Sequence, residues 1–250
     1  MSYSAAASST RAARMGSRRR PWWRGGSSVR RWSIDMLGWA LVALGAGLLG
    51  GALLGGLLGT VVLWVALLVP IVLAYRRGIP RGLLVFRAVD LIYGVVLGTI
   101  LRLAQGLLAN AFGGSGALPS YPSLDGMLPA GWWLEDLLGG AMVAPVIEEF
   151  FFRGFLLIVI FTLVRRLAGA HRAAIGLGAV VGVIASTAVF VLTHALTAAQ
   201  HTSDLIGLTL VGLVCGALVV TTGRILPAVL VHAIYNASGV LLAVAGTLLG

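Results

Sequence analysis

The sequence predicts an all-α protein, a bundle of about seven transmembrane helices with a cytoplasmic N-terminus. Composition is the first observation behind this prediction: 59% of the 250 residues are hydrophobic and 10% are charged, whereas a soluble domain carries about 25% charged residues. The second is that the apolar runs are long, continuous and rich in Leu, Ala and Gly. These runs lack the alternation of a membrane β-barrel and therefore indicate spanning helices.

The distribution of arginine is the third observation. All 18 basic residues are Arg, against 8 acidic residues, so the formal net charge is +10. Eight of the arginines lie within residues 1–33, which predicts a disordered cytoplasmic tail attracted to anionic lipid headgroups. Nucleic acid is not expected as a partner, because a basic block beside an apolar run is more typical of a membrane flank. The use of Arg without Lys, with much Ala and Gly, is typical of a GC-rich prokaryotic genome, so the expected location is a prokaryotic plasma membrane.

The first long apolar run predicts an N-terminal transmembrane hairpin over residues 34–83. Residues 36–75 contain no charged side chain, and one helix of that length would be about 60 Å long, twice the hydrocarbon thickness of a bilayer. We therefore expect two spans joined by a tight turn near Gly55–Thr60. Glycines that recur every four residues are typical of close helix contact, within the hairpin or in a dimer; they are Gly47, Gly51, Gly55 and Gly59.

Five further spans are predicted in residues 84–250, and their order sets the orientation. They are Val85–Ala111, Leu134–Val164, and segments within Ile175–Ala199, Leu205–Thr222 and Leu226–Leu249. With the N-terminus inside, the inner segments 1–33, 76–82, 165–173 and 222–225 hold all the loop arginines, and the outer loops hold none. The excess of Arg on cytoplasmic loops therefore predicts an inner N-terminus and an outer C-terminus.

The fourth predicted span carries three charged side chains, Glu148, Glu149 and Arg153. A charge at the centre of a spanning helix costs about 2.5–3.5 kcal/mol, so such a segment needs partners or a wet cavity. Glu149 and Arg153 are four residues apart on one helix face and can form an ion pair. Glu148 is turned about 100° away from Glu149 and is left available. Pro145 removes a helix hydrogen bond and can kink the span near these residues.

Two later spans carry histidine in a similar spacing. The fifth span contains Phe190 and His194, one helical turn apart on the same face. The seventh span contains His232 and Asn236, also one turn apart. A histidine and an asparagine on one face supply two neutral hydrogen-bond donors, which suits the stabilisation of a developing oxyanion.

Glu-Glu-x-x-x-Arg, Phe-x-x-x-His and His-x-x-x-Asn, in this order on three spans, resemble the CPBP family of intramembrane proteases, which includes CAAX prenyl endopeptidases and Abi-type bacteriocin-processing or immunity proteins. The resemblance covers residues 84–250. It implies a helical bundle with a conical cavity in which a peptide bond of a membrane-associated substrate is hydrolysed. The implied roles are activation of water by Glu148 and His194, oxyanion stabilisation by His232 and Asn236, and support of the site by Glu149 and Arg153.

The cofactor remains open at this stage. Glu148, His194 and His232 form a possible three-ligand site for a catalytic divalent metal such as zinc, as the metalloprotease label of the family implies. A mechanism in which Glu and His activate water without a metal is equally compatible and is slightly favoured.

Two other functions compete with the peptidase. One is a non-catalytic immunity or binding protein of the same fold, and the other is a small transporter that uses the buried charges as a proton relay. Counting along the spans places Glu148, His194 and His232 at different depths. The enzyme hypothesis nevertheless requires them to converge with Asn236 on one pocket.

Overall fold

The computed structural model describes residues 22–24, 32–122, 126–169 and 171–249, and all regular structure in them is helical. The all-α prediction is therefore confirmed. Within these ranges, six single helices are long and apolar enough to cross a membrane. They are α1 (Ile34–Leu54), α2 (Gly56–Arg77), α3 (Val89–Ala111), α5 (Arg172–Thr197), α6 (Thr202–Thr222) and α7 (Leu226–Leu249).

The helix between α3 and α5, which we call α4, changes its winding three times. It begins as a π-helix over Trp133–Val143, continues as an α-helix over Ala144–Phe151, widens again over Phe152–Leu156 and ends as an α-helix over Leu157–Ala168. Pro145 lies at the start of the first α-helical part. Because proline has no N–H to donate, the usual hydrogen bond to residue 141 is lost where the π-helix ends. Glu148 and Glu149 thus lie between two wide turns, a feature frequent at functional sites.

The predicted N-terminal turn lies at Gly55, which separates α1 from α2 and has a φ of 65°. The glycine stripe brings these two helices into close contact. A Cβ on Gly59 would lie 2.5 Å from the backbone oxygen of Gly51, and one on Gly47 would lie 2.8 Å from the Cβ of Ala66. The stripe therefore serves the hairpin, one of the two uses that its spacing allows.

Helix α4 is the centre of the bundle. The α1–α2 hairpin packs on one side of it, while α5, α6 and α7 contact the rest of its length. Helix α3 packs mainly along α7 and also along α6. The middle of α4 is covered on all sides, because every residue from Phe151 to Val159 is buried. This position explains how α4 holds charged side chains: its neighbours, rather than lipid, surround them.

The predicted disordered tail, residues 1–33, is ordered where the structure describes it. Trp22–Arg24 forms one 3₁₀ turn, and the side chains of Trp22 and Trp32 are buried. Trp22 packs edge-on against Phe161, with ring centroids 4.8 Å apart. Composition alone did not predict these aromatic contacts with α4, and disorder of the tail as a whole stays a prediction. Residues 1–21 and 25–31 lie outside the described residues.

Candidate active site

The two carboxylates of α4 face different partners. Glu149 and Arg153 are both fully buried, and Nη1 of Arg153 donates to Oε1 of Glu149 at 2.9 Å. The same Oε1 lies 2.9 Å from Nδ1 of His232 on α7. The carboxylate of Glu149 is thus held by a guanidinium from its own helix and an imidazole from another. The ion pair expected from the four-residue spacing is present.

The side chain of Glu148 points to the two histidines instead. Its Oε2 lies 3.8 Å from Nε2 of His194 and 3.9 Å from Nε2 of His232. Glu148 and His194 remain partly exposed, at 17% and 26% of their side-chain surface, whereas His232 is 1% exposed. Three of the predicted catalytic side chains therefore meet at one point that solvent reaches through Glu148 and His194.

The hydrogen-bond partners of the two imidazoles define which nitrogen carries a proton. An ionised carboxylate and a backbone carbonyl only accept hydrogen bonds. Nδ1 of His232 lies against the Glu149 carboxylate, and Nδ1 of His194 lies 3.0 Å from the carbonyl oxygen of Phe190. Both Nδ1 atoms must therefore be donors, an assignment made from the partners.

The neutral form of each imidazole consequently turns the lone pair of Nε2 toward Glu148. Three acceptors then face each other: Nε2 of His194, Nε2 of His232 and Oε2 of Glu148. Separations of 3.8 and 3.9 Å are too long for direct hydrogen bonds. Such a set of acceptors is complementary to a group that donates protons or carries positive charge, such as a water molecule or a cation.

Phe190 is the aromatic centre of the site. Its buried ring lies 4.4 Å from the ring of His194 and 5.6 Å, edge to face, from the ring of His232. The guanidinium of Arg153 lies 4.4 Å from the centroid of the same ring, a distance typical of a cation–π contact. The ring therefore holds both histidines and the buried cation at fixed positions. Its spacing from His194 was visible in the sequence, but its contacts with α4 and α7 were not.

Asn236, one turn after His232 on α7, is bonded elsewhere. Its Nδ2 donates to the carbonyl oxygen of Gly140 at 3.0 Å, in the first π-helical part of α4. Asn236 therefore joins α7 to the wide turns of α4, and its amide keeps a second N–H. Among the hydrogen bonds between described residues, Asn236 makes none to Glu148, His194 or His232.

A cavity of about 920 Å³ opens beside Glu148. Its walls come from the α1–α2 hairpin, the first half of α4 and the C-terminal end of α5. Of the predicted catalytic residues, Glu148 lines this cavity, and Nε2 of His194 and Nε2 of His232 lie 3.8 and 3.9 Å from its Oε2. The hairpin thus forms a wall of the site, a role that the motifs did not indicate.

Two more carboxylates, Glu135 and Asp136, line the same cavity near the start of α4. Asp136 accepts a hydrogen bond of 2.8 Å from the hydroxyl of Tyr121, in the loop between α3 and α4. Burial and this hydrogen bond raise the pKa of Tyr121 to about 12. The tyrosine is therefore uncharged at neutral pH and fastens the loop to the cavity wall.

Donor type alone is compatible with the predicted metal ligands, because Glu148, His194 and His232 bring an oxygen and two imidazole nitrogens together. Both imidazoles also have Nδ1 occupied, as metal-bound histidines usually do. Within the described residues, however, no group of three or more His, Cys, Asp or Glu side chains is placed closely enough to hold a metal ion. The metal site remains a prediction.

The other membrane charges pair away from this site. Asp90, fully buried at the start of α3, is bonded by the guanidinium of Arg224 between α6 and α7. Arg102 lies over the ring of Tyr235 and donates to the carbonyl oxygen of the same residue at 2.6 Å. Both contacts fasten α3 to the C-terminal part of the chain that carries His232.

Residues 130–238 match the family model described as type II CAAX prenyl endopeptidase, Rce1-like. Comparison with curated proteins and with solved structures finds no match. The matched segment contains all six predicted site residues and leaves out the α1–α2 hairpin. Together with the apolar helices, the match indicates an integral membrane protein that is similar to a peptidase family over this segment. The resemblance to the CPBP family is thereby confirmed over residues 130–238, where the chain is similar to the Rce1-like type II CAAX prenyl endopeptidases.

Proposed function

We propose that this protein is an intramembrane endopeptidase in which Glu148 and His194 activate the water that attacks the substrate. The observation that carries this proposal is the convergence of Oε2 of Glu148 with Nε2 of His194 and Nε2 of His232, at 3.8 and 3.9 Å. A water molecule between these acceptors donates its two hydrogens to two of them and keeps a lone pair free for attack. Glu148 or His194 then takes the proton as general base.

Oxyanion stabilisation is proposed for His232 and Asn236. Asn236 has one N–H left beside the bond to Gly140. His232 already donates from Nδ1 to Glu149, so it can donate from Nε2 only as an imidazolium. The Glu149 carboxylate, 2.9 Å from Nδ1 of His232, holds this ring in place. Glu149 and Arg153 are therefore proposed as positioning residues that fix the ring of His232.

A metal-dependent version uses the same side chains. Glu148, His194 and His232 would hold a divalent cation such as zinc, which would supply Lewis-acid activation of water and of the scissile carbonyl. In both versions Asn236 polarises the carbonyl. Metal analysis of the purified protein, together with activity after chelation and after metal addition, distinguishes the two.

The wider setting follows from the family and the charge pattern. We infer that residues 34–83 form an N-terminal hairpin and 84–250 the peptidase unit, with the N-terminus in the cytoplasm and the basic tail against anionic lipids. The substrate is a membrane-associated peptide or protein, and the host membrane is a prokaryotic plasma membrane. Because the hairpin lines the cavity with Glu148, it contributes to substrate binding.

The direct test is cleavage of membrane-protein and peptide substrates by the purified protein in detergent. Glu148→Gln and His194→Asn should each lower kcat by about 10²–10⁴-fold, the usual contribution of general acid–base catalysis. The matched control is His171→Asn, since His171 caps the start of α5 through its side chain and lies away from the site.

Unaltered cleavage in both site variants would contradict the peptidase proposal. It would favour the non-catalytic immunity or binding function that the family also allows. Circular dichroism and the melting temperature establish that the variants keep their helices, so that a loss of cleavage reflects chemistry rather than unfolding.

A further inference from the structure

Thr187, in the middle of α5, differs from most of the other threonines that the structure describes. Eight helical threonines donate their hydroxyl to the carbonyl oxygen four residues earlier. This is the usual way in which a buried threonine satisfies itself in a helix. The hydroxyl of Thr187 is buried and has no hydrogen-bond partner among the described residues. It points away from its own helix and needs another explanation.

Arg153 has buried hydrogen-bond donors that also lack a partner among the described residues. One terminal nitrogen of its guanidinium binds Glu149, but Nε and Nη2 are buried and have no partner among the described residues. Oε2 of Glu149 is likewise unpartnered within that part of the chain. Leaving the donors of a buried cation unsatisfied is costly, and more so than for neutral groups. The cluster therefore calls for a polar molecule that the protein itself does not supply.

The unsatisfied groups of Thr187 and Arg153 both lie beside Gly212 of α6. The position that a Cβ would occupy on Gly212 lies 3.1 Å from Nη2 of Arg153 and 3.1 Å from Oγ1 of Thr187. The two atoms are thus no farther apart than these two contacts combined, a separation that one water molecule can span. A buried water usually makes two to four hydrogen bonds to otherwise unsatisfied groups. Glycine is required at 212, because a Cβ there would also lie 2.6 Å from Cγ2 of Thr187.

The register of α5 connects this spot with the candidate active site. Thr187 and His194 are seven residues apart and so lie on the same face of α5. His194 faces Glu148 of α4, while Thr187 faces Arg153, one turn further along α4. Polar side chains of α5 thus face polar side chains of α4 on both sides of the Phe190 ring.

We propose that Thr187 and Arg153 bind a buried water molecule through Oγ1 and the free guanidinium nitrogens, and that Thr187 is thereby a positioning residue for the site. The water completes the coordination of Arg153, Arg153 holds Glu149, and Glu149 holds Nδ1 of His232. This inference rests on the peptidase proposed above for its effect on catalysis. The water and its effect on His232 do not depend on that activity.

The test compares Thr187→Val, which keeps the shape and removes the hydroxyl, with Thr187→Ser, which keeps the hydroxyl. Thr162→Val is the matched control, because Thr162 is also buried but bonds within its own helix. Two quantities are measured on the full chain in detergent: kcat for peptide cleavage, and the ¹⁵N resonances of the His232 ring without substrate. A purely structural role of Thr187 would leave the ring resonances in place.

Thr187→Val should lower kcat about ten-fold with little change in KM, in keeping with the loss of a hydrogen bond to a charged group. It should also shift the Nδ1 resonance of His232, and Thr187→Ser should restore both. Wild-type kcat and an unshifted ring in Thr187→Val would overturn the inference, and so would failure of Thr187→Ser to restore them.

Two complications have their own outcomes. If Thr187→Val does not fold, Thr187→Ser and Thr187→Ala replace it in the comparison, because these two differ in the hydroxyl alone. If the wild type cleaves no peptide, the proposed function fails, while the resonance of His232 still decides the role of Thr187.

Discussion

The Oε1 atom of Glu149 lies 2.9 Å from both Nη1 of Arg153 and Nδ1 of His232. One buried oxygen thus joins α4 to α7 and fixes a proton on Nδ1 of His232. The other ring nitrogen of His232, Nε2, faces Glu148. This arrangement assigns different tasks to two adjacent carboxylates, one inside the packing and one at the cavity.

The buried ion pair predicts strong non-additivity in stability. Arg153→Met should lower the free energy of unfolding by about 3–5 kcal/mol, because it leaves the Glu149 carboxylate buried without its cation. The double variant Glu149→Gln, Arg153→Met should be less destabilised than Arg153→Met alone, since no charge remains unpaired. Denaturant unfolding in detergent measures both. Destabilisation of the double variant equal to the sum of the single ones would contradict the coupling.

A second buried pair should contribute far more than an exposed one. Nε of Arg224 lies 3.2 Å from both carboxylate oxygens of Asp90, and the Asp90 side chain is fully buried. Asp90→Asn should therefore lower the free energy of unfolding by about 3–5 kcal/mol.

The control for this pair is Asp35→Asn. Asp35 pairs with Arg77 at 2.8 Å, but both side chains are more than 40% exposed. The loss of stability there should be much smaller, because water and salt screen an exposed ion pair. Equal effects in the two variants, measured by thermal unfolding, would show that burial does not set the contribution of these pairs.

The glycine stripe predicts opposite effects at two sites of the hairpin. A Cβ on Gly59 would lie 2.5 Å from the backbone oxygen of Gly51, so Gly59→Ala must separate α1 from α2 and lower the melting temperature. Gly45 has nothing within 4 Å of its Cβ position, and Gly45→Ala should stabilise α1 by up to about 1 kcal/mol. Because the hairpin lines the cavity, Gly59→Ala should also lower peptide cleavage. A melting temperature of Gly59→Ala at or above that of the wild type would contradict the close contact.

The proposed orientation is testable with single cysteines. Ser115→Cys lies in the exposed loop between α3 and α4, and Arg76→Cys lies in the exposed last turn of α2. A membrane-impermeant maleimide should label Ser115→Cys on intact cells, but Arg76→Cys only after permeabilisation. The native Cys215 is buried and provides an unlabelled background. The reverse labelling pattern would place the N-terminus outside.

Local features of the chain were predictable because they depend on hydropathy and helical geometry alone. The break near Gly55, the bounds of α7 at Leu226–Leu249 and the Glu149–Arg153 pair all follow from residues close together in sequence. The π-helical turns of α4 could not be predicted from the hydropathy pattern, because hydropathy does not show which carbonyl oxygen accepts each backbone N–H. The burial of Trp22 was missed because composition does not reveal a distant aromatic partner.

Short-range spacing thus determined which side chains carry the candidate chemistry, since residues four apart on a helix must share a face. The same counting placed Glu148, His194 and His232 at different depths in the membrane. It treats each helix separately and ignores how far neighbouring helices are shifted along their axes. Packing around α4 removed that disagreement, set Nδ1 of His232 against Glu149, and made the hairpin a wall of the cavity. Those relations join positions far apart in the chain, and only the contacts between helices establish them.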